Sequence, residues 1–194
     1  MDGSTVTVFF DTPQPLCHSG PDAARLDDLQ YVLGEGPVYD AARDGIRPAI
    51  SDLARPAGTG WLLFPAQALD LGIRTVWAFP LERGGLRIGA LACHRRTAGA
   101  LAPPATAQAL RCADALAAAL LGDRDALPRL LGPGLPRAQV HQAAGRLSAR
   151  LRLTALDALA LLRAHAFATG RPLSEVAHQV VTGALHLPRD ATPT

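Results

Sequence analysis

The chain has 194 residues, 48% of them hydrophobic and 19% charged, with a formal net charge of +2. That composition can bury cores and excludes general disorder, and the length allows one large domain or two small ones. No apolar run is long enough to cross a bilayer, and the amino terminus MDGSTVTVFF lacks the basic and long apolar regions of a signal peptide, so a cytoplasmic protein without a membrane partner is expected.

Taken in chain order, residues 5–10 alternate, with Val6, Val8 and Phe10 on one face, and predict an edge or second strand half-buried on a helix layer. Residues 21–33 predict a helix with Ala23, Leu26 and Leu29 along one side. Gly34-Glu35-Gly36-Pro37 breaks it as a turn, with too few glycines at the spacing of a phosphate loop. Residues 74–81 read as a strand, Gly84-Gly85 as a hairpin turn and residues 86–95 as the returning strand. Pro103-Pro104 opens a long helix rich in alanine and leucine that runs to about Leu121. Cys17, Cys93 and Cys112 have no metal-ligand spacing and are expected as small buried hydrophobes. Cys93 and His94 would point to opposite faces of a strand, so their adjacency makes no catalytic dyad. No catalytic residue, metal or cofactor is expected.

Pro128, Gly132, Pro133, Gly134 and Pro136 end the long helix and separate two parts of the chain. Leu127, Leu130, Leu131 and Leu135 make the connection too apolar for a free linker, which predicts packing against one domain or a second subunit. Three helical periods follow. In the first, Val140, Ala143, Ala144, Leu147 and Leu151 form a stripe flanked by Arg146 and Arg150, with Gln139 and Gln142 beside them. Thr154 with Asp157 predicts an N-cap for the second. Leu156, Leu159, Leu162, Ala166 and Phe167 make this second helix apolar around much of its circumference, as if it lay between neighbours. Gly170 ends it, Pro172 opens the third, and Leu173, Val176, Ala177, Val180 and Leu185 form the last stripe.

Charge follows the same division. Residues 1–136 hold 12 Arg and 14 acids, a balance of 12 − 14 = −2, whereas residues 137–194 hold 7 Arg and 3 acids, a balance of 7 − 3 = +4. All 19 basic residues are arginine, which stacks on bases and forks onto phosphates as lysine cannot.

Ala143-x-Gly145-x-Leu147, Asp157-Ala158, Leu162-Arg163, Ala166, Arg171-x-Leu173 and Val176-Ala177 together resemble the ANTAR domain, the RNA-binding module of bacterial transcription antitermination regulators. Gly170, Pro172 and Leu147-Ser148 depart from residues common in that family. Upstream, Leu29-Gln30, Leu33-Gly34-Glu35-Gly36-Pro37, Asp40-Ala41, Asp52-Leu53, Gly72, Phe79-Pro80-Leu81 and Ile88-Gly89-Ala90-Leu91 resemble the GAF domain as fused to ANTAR modules in actinobacteria. Val38 stands where cysteine often follows that proline, so redox sensing there is not expected. Such domains usually start with a helix, whereas this chain begins at a strand.

The resemblance implies an α+β fold: a GAF-like antiparallel sheet with helices over residues 1–122, an all-α three-helix ANTAR module over 124–186 and a flexible tail over 187–194. It further implies a regulator that binds RNA stem-loops in nascent leader transcripts and keeps a terminator from forming. Ala143 and Gly145 would permit close approach, Arg146 and Arg150 would contact phosphate, and Arg163 with Arg171 would form a second cluster. The GAF-like part would hold a small-molecule ligand, with Trp61, Phe64, Trp77 and Phe79 as candidate lining, or would serve as core and dimerise. The excess apolar faces predict a homodimer. The alternative is a protein-binding or ligand-sensing regulator whose helical module makes no RNA contact. An enzyme such as a GAF-type methionine sulfoxide reductase would need cysteines placed for attack and resolution, which the spacing does not offer.

Overall fold

A computed structural model of the chain describes residues 1–10, 12–56, 58–123, 125–131 and 137–188. The chain divides into two compact units, Met1–Pro133 and Gly134–Thr194. In the first, strands β1 (Gly3–Phe9) and β2 (Pro13–His18) precede helix α1 (Pro21–Leu33) and the short α2 (Pro37–Tyr39), which continues as a π-helical turn over Asp40–Asp44. Then come β3 (Ala49–Ile50), α3 (Phe64–Asp70), β4 (Thr75–Arg83), β5 (Leu86–Arg95), α4 (Pro103–Gly122) and α5 (Ala126–Leu131).

The strands form one sheet in the order β2-β1-β5-β4-β3, with neighbours antiparallel. The α+β class expected from the sequence is thus observed. The hairpin turn at Gly84-Gly85 joins β4 to β5, and β1 is second from the edge because β2 lies outside it. The prolines of β2, Pro13 and Pro15, suit an edge strand, where a missing N–H breaks no ladder. Gly89 pairs with Val8 where an added Cβ would collide with the Thr7 backbone, so β1 and β5 approach closely only with glycine there.

Alternation along the strands builds two cores on opposite faces of the sheet. Val6, Val8, Trp77, Phe79, Leu81, Leu91 and Cys93 pack under Ala109, Ala113, Ala117 and Leu120 of α4. On the other face, Val76 joins Leu26, Leu53, Phe64, Ala68 and Ile73, while Ala78, Ala90 and Ala92 lie with Val38 and Ala41. The alanine positions of α4 recur every four residues and let the helix sit close to the sheet. Phe10 does not continue the β1 face into the core as expected: the strand ends at Phe9, and Phe10 is 51% exposed.

The boundary expected at 122–124 falls short of the observed division. α5 belongs to the first unit, because Leu127 packs against the core beneath α4. Leu130 is exposed and Leu131 half-buried, while Gly132, Pro133, Gly134, Leu135 and Pro136 lie outside the described residues. The thiols also differ from expectation: Cys93 is buried, but Cys17 and Cys112 are exposed.

The second unit contains α6 (Ala138–Leu151), α7 (Ala155–Thr169) and α8 (Leu173–Thr182), packed on one another. Its core is Val140, Ala143, Ala144 and Leu147 of α6, Ala158, Leu159, Leu162 and Ala166 of α7, and Leu173, Val176, Ala177 and Val180 of α8. The Thr154 hydroxyl accepts the Asp157 N–H at 3.1 Å and donates to the Asp157 carboxylate at 2.7 Å, the capping arrangement expected. Gly170 closes α7 in the left-handed conformation, φ 63°. Pro172 is the N-cap of α8, one residue ahead of its first turn.

Three expectations for this unit are corrected. α7 is not enclosed on all sides: Leu156 and Phe167 are 78% and 44% exposed, because only one of its apolar faces meets α6 and α8. α8 ends at Thr182 with Gly183 left-handed, so Leu185 lies beyond the helix and the next buried residue is Leu187. Leu187 is therefore not part of a flexible tail; residues 189–194 lie outside the described set.

Candidate functional site

The six residues singled out for RNA contact separate into distinct environments. Ala143 is fully buried in the α6 core, so its side chain serves helix packing. Gly145, two residues on, is exposed, and among the described residues nothing lies within 4 Å of where its Cβ would be. A glycine in an exposed helix interior costs about 1 kcal/mol relative to alanine, and no packing within the unit requires it.

Arg146 and Arg150, one turn apart on α6, both reach toward the C-terminal end of α8. A guanidinium N–H of Arg146 donates to the Val181 carbonyl, and one of Arg150 donates to the Leu187 carbonyl at 2.8 Å. Cations at the end of a helix satisfy its unpaired carbonyls and offset the dipole there. These two arginines thus fasten the last helix and its exit to the first. Each guanidinium has five N–H donors, so this contact does not consume its capacity for phosphate.

The length of α7 (Ala155–Thr169) separates Arg150, near the end of α6, from Arg171, which stands just before α8. Arg171 pairs with Glu175, four residues on, at 2.7 Å. Arg163 is half-buried on α7. Between them in sequence, four residues from each, stands the half-exposed ring of Phe167. The periodicity placed Phe167 inside; its spacing from Arg163 and Arg171 was the signal for an outward face.

In the first unit, the four aromatic positions considered for a ligand pocket do not share one space. Trp77 and Phe79 point into the core under α4, while Phe64 lies in the core on the opposite face of the sheet. Trp61 packs edge-on against Phe64 with ring centroids 5.1 Å apart, and its indole N–H donates to Asp40 at 3.0 Å. Burial raises the Asp40 carboxyl above its ordinary range against the lowering effect of that bond, and the charges of Asp44 and Glu35 add to the rise.

The Gly34-Glu35-Gly36-Pro37 turn is tied into this side of the sheet. The Glu35 carboxylate accepts the backbone N–H groups of Leu62, Leu63 and Phe64 at 2.7–3.1 Å, capping α3 from across the chain. Partial burial works against ionisation, but the three N–H donors outweigh it and hold the carboxyl below its ordinary value. Gly36 has φ 125°, and a Cβ there would stand 2.7 Å from the Gln30 side chain, whose carbonyl accepts the Val38 N–H at 2.9 Å. The motif therefore locks α1, α2 and α3 together. Cys93 and His94 face opposite sides of β5, as alternation requires: Cys93 pairs with Trp77 and His94 with Val76, which belong to different cores.

Comparison with known proteins bears on both units. Residues 136–181 match the family model of the ANTAR domain, a stretch that holds α6, α7 and all but the last residue of α8. No curated protein matches the chain. The chain is similar in structure to a domain of a two-component sensor histidine kinase protein from Sinorhizobium meliloti 1021, at 14% identity, covering 66% of this chain and 83% of that one, with a TM-score of 0.51. It is also similar to the GAF domain of a phosphoenolpyruvate-protein phosphotransferase from Coxiella burnetii, at 16% identity over 63% and 73% of the two chains, TM-score 0.47. A third similar structure is the GAF domain of the cyanobacteriochrome TePixJ, at 20% identity over 66% and 79%, TM-score 0.46. The likeness to the sensor-kinase domain is one of fold, and the helical unit matches the ANTAR domain over residues 136–181.

Proposed function

We propose that the chain is a cytoplasmic regulator of transcription termination whose helical unit binds RNA stem-loops in nascent leader transcripts. The first unit is its sensory part, and the working form is a homodimer. The match of residues 136–181 to the ANTAR domain carries this reading. It is supported by the charge balance of +4 over residues 137–194, against −2 before them. Gly145 gives a backbone surface open to a ligand, with Arg146 and Arg150 on the same helix, Arg163 on α7 and Arg171 at the α7–α8 turn. The reading includes no enzymatic step; against thiol chemistry at Cys93 in particular, burial pushes that thiol up to about 11, which makes it a poor nucleophile at neutral pH. Exposed Leu130 on α5 supplies apolar surface for the dimer.

The test is a gel shift of the full chain on a tandem-hairpin RNA, repeated across salt concentrations. Phosphate contacts make log affinity fall steeply with log salt; a salt-independent or absent shift would refute the reading. The competing function, a protein-binding or ligand-sensing regulator without RNA contact, draws on one observation. Arg146 and Arg150 already serve internal carbonyls, so their presence on α6 has a structural explanation.

A further inference from the structure

We propose that Phe167 is a base-stacking residue, and that an unpaired nucleobase of an RNA loop is the group it takes, with Arg163 and Arg171 holding the adjoining phosphates. The inference rests on the RNA-binding reading above and names the part of the RNA that the helical unit recognises.

The argument begins with the cost of exposure. Burying a phenylalanine side chain is worth about 1.5–3 kcal/mol relative to leaving it in water, and Phe167 is 44% exposed although the α7 core accepts apolar groups at Leu162 and Ala166. Its neighbours along the outer side of α7 are small: Ala160, Ala164 and Ala168 are all exposed. Gly170, one residue before Arg171, adds a position with no heavy atom within 4 Å of an added Cβ among the described residues. The ring is thus in part accessible to a ligand.

Those arginines decide the class of partner. Arg163 precedes the ring by four residues on α7, and Arg171 follows it by four across the Gly170 cap. The pair with Glu175 fixes the direction of the Arg171 guanidinium. An aromatic face between two cations suits a base with its flanking phosphates, because every base has a π-face and stacking tolerates any sequence. It does not suit a paired stem, whose bases are stacked on one another and present no free face. Leu156, Ala160, Ala164, Phe167 and Ala168 leave exposed apolar surface along α7 that a protein partner could also use, and it is the arginines four residues to either side of Phe167 that favour a nucleic acid at that end.

The test uses the full chain and a tandem-hairpin RNA selected by it from a loop-randomised pool, then carrying 2-aminopurine at each loop position in turn. Phe167→Ala and Phe167→Leu are each expected to weaken binding about 5- to 100-fold, the range for one stacked base. Phe167→Tyr, which keeps the ring, is expected to bind like the parent; all three should remain folded, and Phe167→Leu, which keeps most of the covered apolar surface, should melt close to the parent. At one loop position the 2-aminopurine emission should fall on binding to the parent chain and not to Phe167→Leu. Parent-like affinity in Phe167→Leu, or an equal loss in Phe167→Tyr, overturns the proposal. So does a change in sedimentation of Phe167→Leu with RNA affinity unchanged, which would assign the ring to a protein contact. If the parent chain selects no RNA, the RNA-binding reading itself fails and the stacking role goes with it; if the parent binds and Phe167→Leu is indistinguishable, only the stacking role fails.

Discussion

Gly145→Ala should raise stability and lower RNA affinity at once. The site is exposed on α6, and an added methyl meets nothing within 4 Å among the described residues. The substitution therefore recovers the helix propensity that glycine forfeits, about 0.5–1 kcal/mol, with no steric penalty inside the unit. For a unit of this size that corresponds to a rise in melting temperature of roughly 4–8 °C per kcal/mol, read by circular dichroism at 222 nm. If an RNA approaches the backbone at this position, the same methyl forces it outward, and a misfit of about 1–3 kcal/mol weakens binding roughly 5- to 100-fold in a gel shift. Opposite signs in one variant cannot come from partial unfolding. A stabilised protein with unchanged RNA affinity would refute close approach at Gly145; no stabilisation would refute the open environment of the helix there.

Glu35→Ala should destabilise the first unit by about 2 kcal/mol at pH 7, since three N–H groups lose a charged acceptor. Because the folded carboxyl lies below its ordinary value of 4.5, its contribution is present above that pH and disappears as pH falls through the folded value. Urea titrations should show the loss shrinking at pH 3, and an equal loss at both pH values would argue against ionised capping. Arg150→Ala should lower the melting temperature of the helical unit by removing the contact with the Leu187 carbonyl, worth about 1 kcal/mol. Arg171→Ala gives up only a surface pair with Glu175, about 0.3–0.5 kcal/mol, so its weaker RNA binding should come without a comparable melting shift. Arg163→Ala is expected to weaken binding in the same assay. Iodoacetamide at neutral pH should label Cys17 and Cys112 in the native chain and Cys93 only after unfolding, since Cys93 is buried and its thiol is raised to about 11; mass spectrometry that finds Cys93 labelled natively would contradict the packing beneath α4.

The parts of the fold legible in the sequence are those with a local cause. The β4–β5 hairpin announces itself by alternation and Gly84-Gly85, α4 by its prolines and alanines, and the three last helices by Thr154, Gly170 and Pro172. What was not legible depends on distant partners. β2 carries two prolines in six residues and reads as loop until β1 offers it an edge. Glu35 has no sequence neighbour that needs it; its donors stand 27–29 residues later. The four aromatic positions were grouped by type, but the sheet assigns them to two faces, and only the two-residue spacing of Trp77 and Phe79 could reveal which pair stays together. On α7 the apolar residues go nearly all the way round, so periodicity gives no direction and does not separate Leu156 and Phe167, which are exposed, from the buried residues. The RNA-binding candidates suffered the same ambiguity: Ala143 and Gly145 sit two positions apart, and on a helix that separation turns one inward and the other out.

The sheet of the first unit is also a partition. The Glu35 turn, α1 and α3 lie on one side, whereas α4, the helix from which the chain continues toward the RNA-binding candidates, packs on the other. A molecule captured beside α1 and α3 would have no direct path to α4. Any coupling between the two faces would have to cross the sheet, where Val76 and Ala78 alternate with Trp77 and Phe79 along β4, so that one strand contributes to the cores on both sides.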